Sequence, residues 1–350
     1  GELMINLKKL SLPVFTVLMA AAFVAVSLLS LSWGQIDIPF RNVLALLSQT
    51  AGLPFFSDVV VTPEQQAVLW HIRLPRTLVG LMVGAGLGAS GTVMQGIFSN
   101  PLADPGIIGV SSGAAVGAVV AIAFGFSETT MFAMPVFALI GSLLAVTLTV
   151  FLAMRHGKIP VMTLLLAGVV VGMLLGAITA GLLTVINEQK LQEYLFWTIG
   201  GLDYRRWEHV LMGVGPICLG IAIMLLMARH LNILVLGDVE ARAVGMPVAR
   251  YRLGLLTLAS LVTATGVCIS GNIGFVGLVV PHMMRLVVGP DHRRLLPAAV
   301  LAGGIFLVLC DTIGRVIVPP MEVRVGIMTA LLGTPYFLYL LRHKAHDLSR

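Results

Sequence analysis

The sequence predicts an all-α polytopic membrane protein of about ten transmembrane helices with both termini cytoplasmic. Three observations carry that expectation. Of the 350 residues, 58% are hydrophobic and only 11% charged, whereas a soluble domain carries about 25% charged residues. Apolar runs recur along the whole chain, and at roughly 20 residues per span they accommodate about ten crossings. Basic residues fall in the short links between runs and favour one side.

The elements follow in order, with boundaries set by charged, Gly and Pro clusters. The run at about 13–32 is too long for the apolar part of a signal peptide, and Ser32-Trp33-Gly34 is a poor cleavage site, so it reads as the first span. Residues 1–12 form a cytoplasmic tail, in which Gly1-Glu2-Leu3 reads as an addition ahead of Met4. An amphipathic outer stretch to about 71 leads to the second span, about 77–98. There Gly80, Gly84 and Gly88 recur every fourth residue and mark a helix-packing face. The turn Asn100-Pro-Leu-Ala-Asp-Pro-Gly106 precedes the third span, about 108–125. The fourth (about 131–154) and fifth (about 160–185) flank the polar link Arg155-His-Gly-Lys158. Polar residues at about 186–208 lead to the sixth span, about 209–228, and a charged segment at about 229–252 precedes the seventh, about 253–270. A short eighth span (about 276–288), the link Gly289-Pro-Asp-His-Arg-Arg294, a ninth span (about 295–318) and a tenth (about 325–342) complete the single domain over 13–342. Residues 343–350 are the C-terminal cytoplasmic tail.

Charge counting orients the bundle. With the termini inside, 14 of the 22 Lys and Arg residues lie in inner links and 8 in outer ones, among them Arg73, Arg76, Arg315 and Arg324. The outer face is rich in cations for a membrane protein. The formal net charge of +6 does not imply a nucleic-acid partner, because no basic stripe exists to follow a phosphate backbone.

Several chemistries are excluded or disfavoured. No GxxxxGK[ST] is present, so the chain has no P-loop for ATP. HExxH, Gly-x-Ser-x-Gly and paired-histidine spacings are absent, and His282 and His292 are too far apart in sequence for a helical metal pair. Cys218, Cys268 and Cys310 sit in apolar runs without CxxC spacing and read as buried small hydrophobes. No catalytic or metal site and no cofactor are expected in the chain itself. An ion-coupled secondary transporter would need ionisable groups within its spans and inverted repeats. Asp311 is the clearest such group, but Arg315 one turn later suggests a local ion pair, and no repeat is evident.

Three segments are more specific. The first is Arg73-Leu-Pro-Arg76-Thr-Leu with Ser90-Gly-Thr-Val-Met-Gln95-Gly and the Asn100–Gly106 turn. The second is Leu236-Gly-Asp-Val-Glu-Ala-Arg242-Ala-Val-Gly245. The third is Gly274-Phe-Val-Gly-Leu-Val-Val-Pro281-His282 with Asp291-His-Arg-Arg-Leu-Leu-Pro297 and Gly326-Ile-Met-Thr-Ala-Leu-Leu-Gly-Thr-Pro335. In these the chain, over about residues 33–342, resembles the permease subunits of binding-protein-dependent ABC importers for ferric siderophores, haem and cobalamin.

The resemblance implies a homodimer in the bacterial inner membrane, two cytoplasmic ATPase subunits that hold ATP and Mg, and an extracytoplasmic substrate-binding protein. It implies that Arg73, Arg76 and Arg315 pair with acidic residues of the binding protein. It further implies that the segment 236–250 couples to the ATPase, with Gly237, Glu240, Ala241, Arg242 and Gly245 as its working residues. Asn100 and Leu102 match positions that narrow the cytoplasmic exit. Val161 and Met162 stand where relatives for cobalamin can show hydroxyl residues, which implies an apolar throat and weakens the cobalamin reading; iron chelates come first because they are the commoner substrates of the family. Arg324 replaces a Pro common in relatives; it is expected to meet the binding protein or substrate carboxylates, or to pair with Glu322 or the membrane surface.

Overall fold

The structure is a computed structural model that describes residues 11–348. The expected tail over 1–12, apart from its last two residues, lies outside them. Helices make up almost every regular element: α1 (Leu12–Ser32), α2 (Phe40–Thr50), α3 (Pro63–Ala67), α4 (Leu74–Ile97), α5 (Val110–Ala123), α6 (Ala133–Ala153), α7 (Val161–Val185), α8 (Glu188–Ile199), α9 (Trp207–Leu226), α10 (Ala228–Val235), α11 (Asp238–Ala243), α12 (Val248–Ser270), α13 (Val276–Val288), α14 (His292–Val316) and α15 (Val325–Leu348). Among the described residues, seven helices are long and apolar enough to span a membrane, and three shorter apolar ones, α5, α13 and the part of α15 at Val325–Tyr339, bring the set to ten. The last helix runs six residues beyond its expected end at 342, so the segment read as a tail continues as helix.

Why these runs pack follows from their small residues. In lipid there is little hydrophobic drive between helices, so close backbone approach supplies the contact. Side chains added at Gly84 and Gly88 of α4 would collide with the carbonyl oxygens of Gly303 and Ala299 of α14. The expected glycine face is therefore the seam between α4 and α14, and α4 is almost wholly buried as the bundle's central helix.

The outer stretch after α1 is helical in part. The capping box at Thr62, in which Gln65 donates to the Thr62 hydroxyl and its side chain accepts from the Thr62 amide, starts α3. A π-helical turn, Val68–Arg73, then joins α3 to α4 without a break. Expected outer links meet at one end of the bundle, where Gln35 donates to the Pro320 carbonyl (2.8 Å). Expected inner links meet at the other, where Asn232 donates to Asp291 (2.8 Å).

Cys268 and Cys310 are buried, but Cys218 is exposed, contrary to expectation. It lies on α9, a spanning helix with many apolar residues on its outward side, so an apolar neighbourhood in sequence need not mean the bundle interior.

Candidate functional site

Two clusters hold the residues singled out by the sequence, one at each end of the bundle. At the outer end, Arg73, Arg76 and Arg315 are all buried. Arg73, last residue of the π turn, donates to the carbonyls of Leu31 (3.1 Å), Ser32 (3.0 Å) and Ile36. Arg315 donates to the carbonyls of Ser30 (3.0 Å) and Trp33 (3.3 Å) and to the Ser30 hydroxyl (2.7 Å). Both therefore satisfy the final carbonyls of α1, which no intrahelical donor can reach and which a cation suits electrostatically.

The same arrangement recurs. Lys190 donates to the carbonyl of Ala123, the last residue of α5 (3.1 Å). Arg205 donates to Ile269 near the end of α12 (2.9 Å), and Arg324 to Phe196 near the end of α8 (2.6 Å). Five of the eight outer cations thus close helix C-termini. Away from bulk water, an unsatisfied carbonyl costs several kcal/mol, which gives the basic outer face a structural cause.

Arg76 is placed differently. Its guanidinium forms a paired contact with Asp311 (Nε–Oδ2 3.0 Å, Nη2–Oδ1 2.8 Å) and reaches Glu322 through Nη1 (3.0 Å). Asp311 lies 3.6 Å from Arg315 Nε, so the i,i+4 pair expected from sequence exists but is the looser of its two contacts. Glu322 is held by Arg76, and Arg324 instead pairs with Asp203 (3.4 Å) and stacks over the Phe196 ring (5.3 Å). The three arginines expected to present free charge outward are turned inward and already paired. Sequence reasoning placed them at one end and anticipated Asp311 beside Arg315, but missed the other partners: carbonyls at the end of α1 for Arg73 and Arg315, and the distant carboxylates of Asp311 and Glu322 for Arg76. Beside this network opens an outer cleft of about 1440 Å³, lined by Arg76, Phe196, Trp197, Arg206 and Trp207 among others.

At the inner end, α10 and α11 form a short helical hairpin. Helix α11 ends in a two-bond closure: the Gly245 amide donates to Arg242 (2.9 Å) and the Met246 amide to Ala241 (3.1 Å). Gly245 takes φ +84°, a conformation that glycine adopts without the Cβ clash of other residues, as the expected C-terminal turn requires. Gly237 precedes α11. Glu240 and Arg242 are exposed, together with Leu236, Val239 and Val244. Ala241 is instead fully buried, so it anchors α11 to the bundle rather than presenting a contact. Asp238, the first residue of α11, pairs with Arg252 (2.5 Å) and more loosely with Arg242 (3.5 Å). The hydrogen bond from Arg252 holds the Asp238 carboxyl below the usual carboxylate range.

The expected exit residues are also at this end. Asn100 accepts from the Leu102 amide (2.9 Å) in an Asx turn, and both side chains are exposed. Val161 and Met162 open α7, Val161 partly buried and Met162 exposed. No group of three or more His, Cys, Asp or Glu residues suited to a metal occurs among the described residues.

Comparisons with known proteins agree with this geometry. The FecCD transport family model matches residues 22–343. The chain is 46% identical over 284 residues to the cobalamin import system permease protein BtuC of Halobacterium salinarum, covering 81% of this chain and 76% of that one. It is 43% identical over 280 residues to the hemin transport system permease protein HmuU of Yersinia pestis, covering 78% and 84%. A solved structure described as an inward-facing metal-chelate type ABC transporter superposes with a TM-score of 0.83 at 32% identity, over 95% of this chain and 99% of that one. With ten apolar helices among the described residues, a glycine seam and this match along nearly its whole length, the chain belongs to the FecCD transport family and is a multi-span permease of the ABC importer type.

Proposed function

We propose that the chain is the transmembrane subunit of an ATP-driven importer that moves a bulky iron chelate, a ferric siderophore or haem, across the bacterial inner membrane. Two copies alternate access to a central pathway, two cytoplasmic ATPase subunits supply the energy, and an extracytoplasmic binding protein delivers the chelate. The observation that carries this reading is the α10–α11 hairpin. It presents Leu236, Val239, Glu240, Arg242 and Val244 to the cytoplasmic side while Ala241 and Asp238 fix it to the bundle. An exposed apolar rim with charges, rigidly mounted, suits a protein partner better than water.

Exposed apolar residues on α7, including Met173, Leu174 and Val170, and on α15, including Leu331 and Leu338, leave surface for lipid and a second copy. For the binding protein, Arg73, Arg76 and Arg315 would become available only by exchanging their internal partners. Among chelates, cobalamin is the alternative, supported by the Halobacterium relative; the Yersinia relative and the apolar pair Val161 and Met162 support haem.

The test is purification of the chain co-expressed with a candidate ABC ATPase subunit and binding protein. Co-purification with the ATPase, and hydrolysis stimulated by the binding protein loaded with haem or a ferric siderophore, are expected. Stimulation by cobalamin alone would move the substrate assignment, and failure to associate with any ATPase would remove the reading.

A further inference from the structure

We propose that Arg252 is the positioning residue that links α11 to the cytoplasmic end of α7, so that a push on the ATPase-facing hairpin is delivered to the pathway. The inference rests on the importer function proposed above and assigns a route within it.

The geometry is a three-way junction on one guanidinium. Arg252, near the start of α12, is buried at 4% exposure. Its Nη2 donates to Asp238 Oδ1 (2.5 Å), while its Nη1 donates both to Asp238 Oδ2 (3.3 Å) and to the carbonyl of Ile159 (3.0 Å). Asp238 is the first residue of α11, and Ile159 lies two residues before the first residue of α7. One side chain therefore joins two elements that are 79 residues apart in sequence at these points.

Each side of the junction is stiff enough to transmit displacement. Helix α11 is closed by its Gly245 turn and plugged into the core by Ala241, so Asp238 moves with it. On the other side Ile159 is buried at 2% exposure, and Pro160 follows as the N-cap of α7. The proline ring fixes φ, so movement of the Ile159 carbonyl passes into the first turn of α7 instead of being absorbed by rotation about Pro160 N–Cα. That turn carries Val161 and Met162. Farther along α7, Gly168 lies against the Ile107 carbonyl, close enough that a side chain there would collide with it. The segment after the Asn100–Gly106 turn is thereby in contact with the same helix. A planar guanidinium with several fixed donors suits such a shared contact, and an ammonium does so less well.

A staple that merely holds the inner loops together would show the same hydrogen bonds, so the test separates coupling from stability. The complete complex, with ATPase subunits and binding protein, is reconstituted in liposomes, and chelate uptake and ATP hydrolysis are measured on the same preparation. In Arg252→Gln, hydrolysis and assembly are expected to stay near the unaltered complex while chelate moved per ATP falls about ten-fold. Arg252→Lys, which keeps the charge opposite Asp238, restores part of that ratio. Arg294→Gln, at an exposed position in the first turn of α14, leaves it unchanged. If Arg252→Gln fails to assemble, Arg252→Lys carries the test, with the ratio expected below that of the unaltered complex. An unchanged ratio in every Arg252 variant that assembles, or uptake and hydrolysis falling in equal proportion, would overturn the linkage. Absence of ATP-driven uptake in the unaltered complex would overturn the importer function itself and the linkage with it.

Discussion

At the outer end of the bundle Arg73, Arg205, Arg315, Arg324 and Lys190 turn their charge onto helix carbonyls, whereas at the inner end Glu240 and Arg242 face outward beside exposed Leu236, Val239 and Val244. The outer cations do structural work that a bundle in lipid cannot delegate to water. At the inner end Glu240 and Arg242 leave a surface open to a partner, while the buried Arg252 beside them ties α11 to the bundle. Charged residues thus serve different purposes at the two ends: five outer cations complete helix ends, whereas Glu240 and Arg242 stay exposed even though Arg242 lies in the last turn of α11.

That contrast predicts a graded series of effects. The largest belongs to Arg76→Ala, which leaves Asp311 buried beside only the looser Arg315 contact; the cost is expected at about 3–5 kcal/mol, read as lost thermal stability of the purified protein. Replacing both members by apolar residues of similar size, Arg76→Met with Asp311→Leu, should recover much of it, and a loss equal to the sum of the single changes would argue against a coupled pair. Next comes Arg73→Ala, which strips donors from the end of α1 and is expected to cost about 1–3 kcal/mol. Gly245→Ala forces a Cβ into a left-handed turn and should cost about 1–2 kcal/mol, while also loosening α11. The smallest effect on stability belongs to Glu240→Ala with Arg242→Ala, within about 0.5 kcal/mol of the parent, yet this pair should uncouple chelate uptake from ATP hydrolysis with binding-protein docking preserved. A large loss of stability in the last variant, or none in the first, would break the comparison.

The span count, the orientation and the glycine face were legible because hydropathy, charge bias and a four-residue period are local properties. The eighth span, at 276–288, coincides with α13 because Gly274 precedes it and Gly289-Pro290 follow it. Helix α7 agrees to within a residue because Pro160 precedes its first turn and the polar Asn187-Glu188 follow its end. The inner hairpin was legible through Gly245, whose turn depends only on its neighbours. The outer network was not. Arg73 and Ser32 are 41 residues apart, Arg76 and Asp311 235 apart, and no pattern in one sequence links a guanidinium to a distant carbonyl or carboxylate. Ala241 illustrates the same limit at short range: it sits between two exposed charged residues, and only packing of α11 onto the bundle shows that it points inward.

The central claim, that this permease moves a metal chelate with energy drawn from partner ATPases through its inner face, is tested most directly by uptake into proteoliposomes. The chain, with its ATPase subunits and a binding protein loaded in turn with haem, a ferric siderophore or cobalamin, is supplied with ATP on the ATPase side or with an ion gradient alone. Accumulation of an iron chelate that requires ATP and the ATPase subunits, and that the gradient does not drive, is the predicted result. Accumulation driven by the gradient in liposomes containing this chain alone would contradict it.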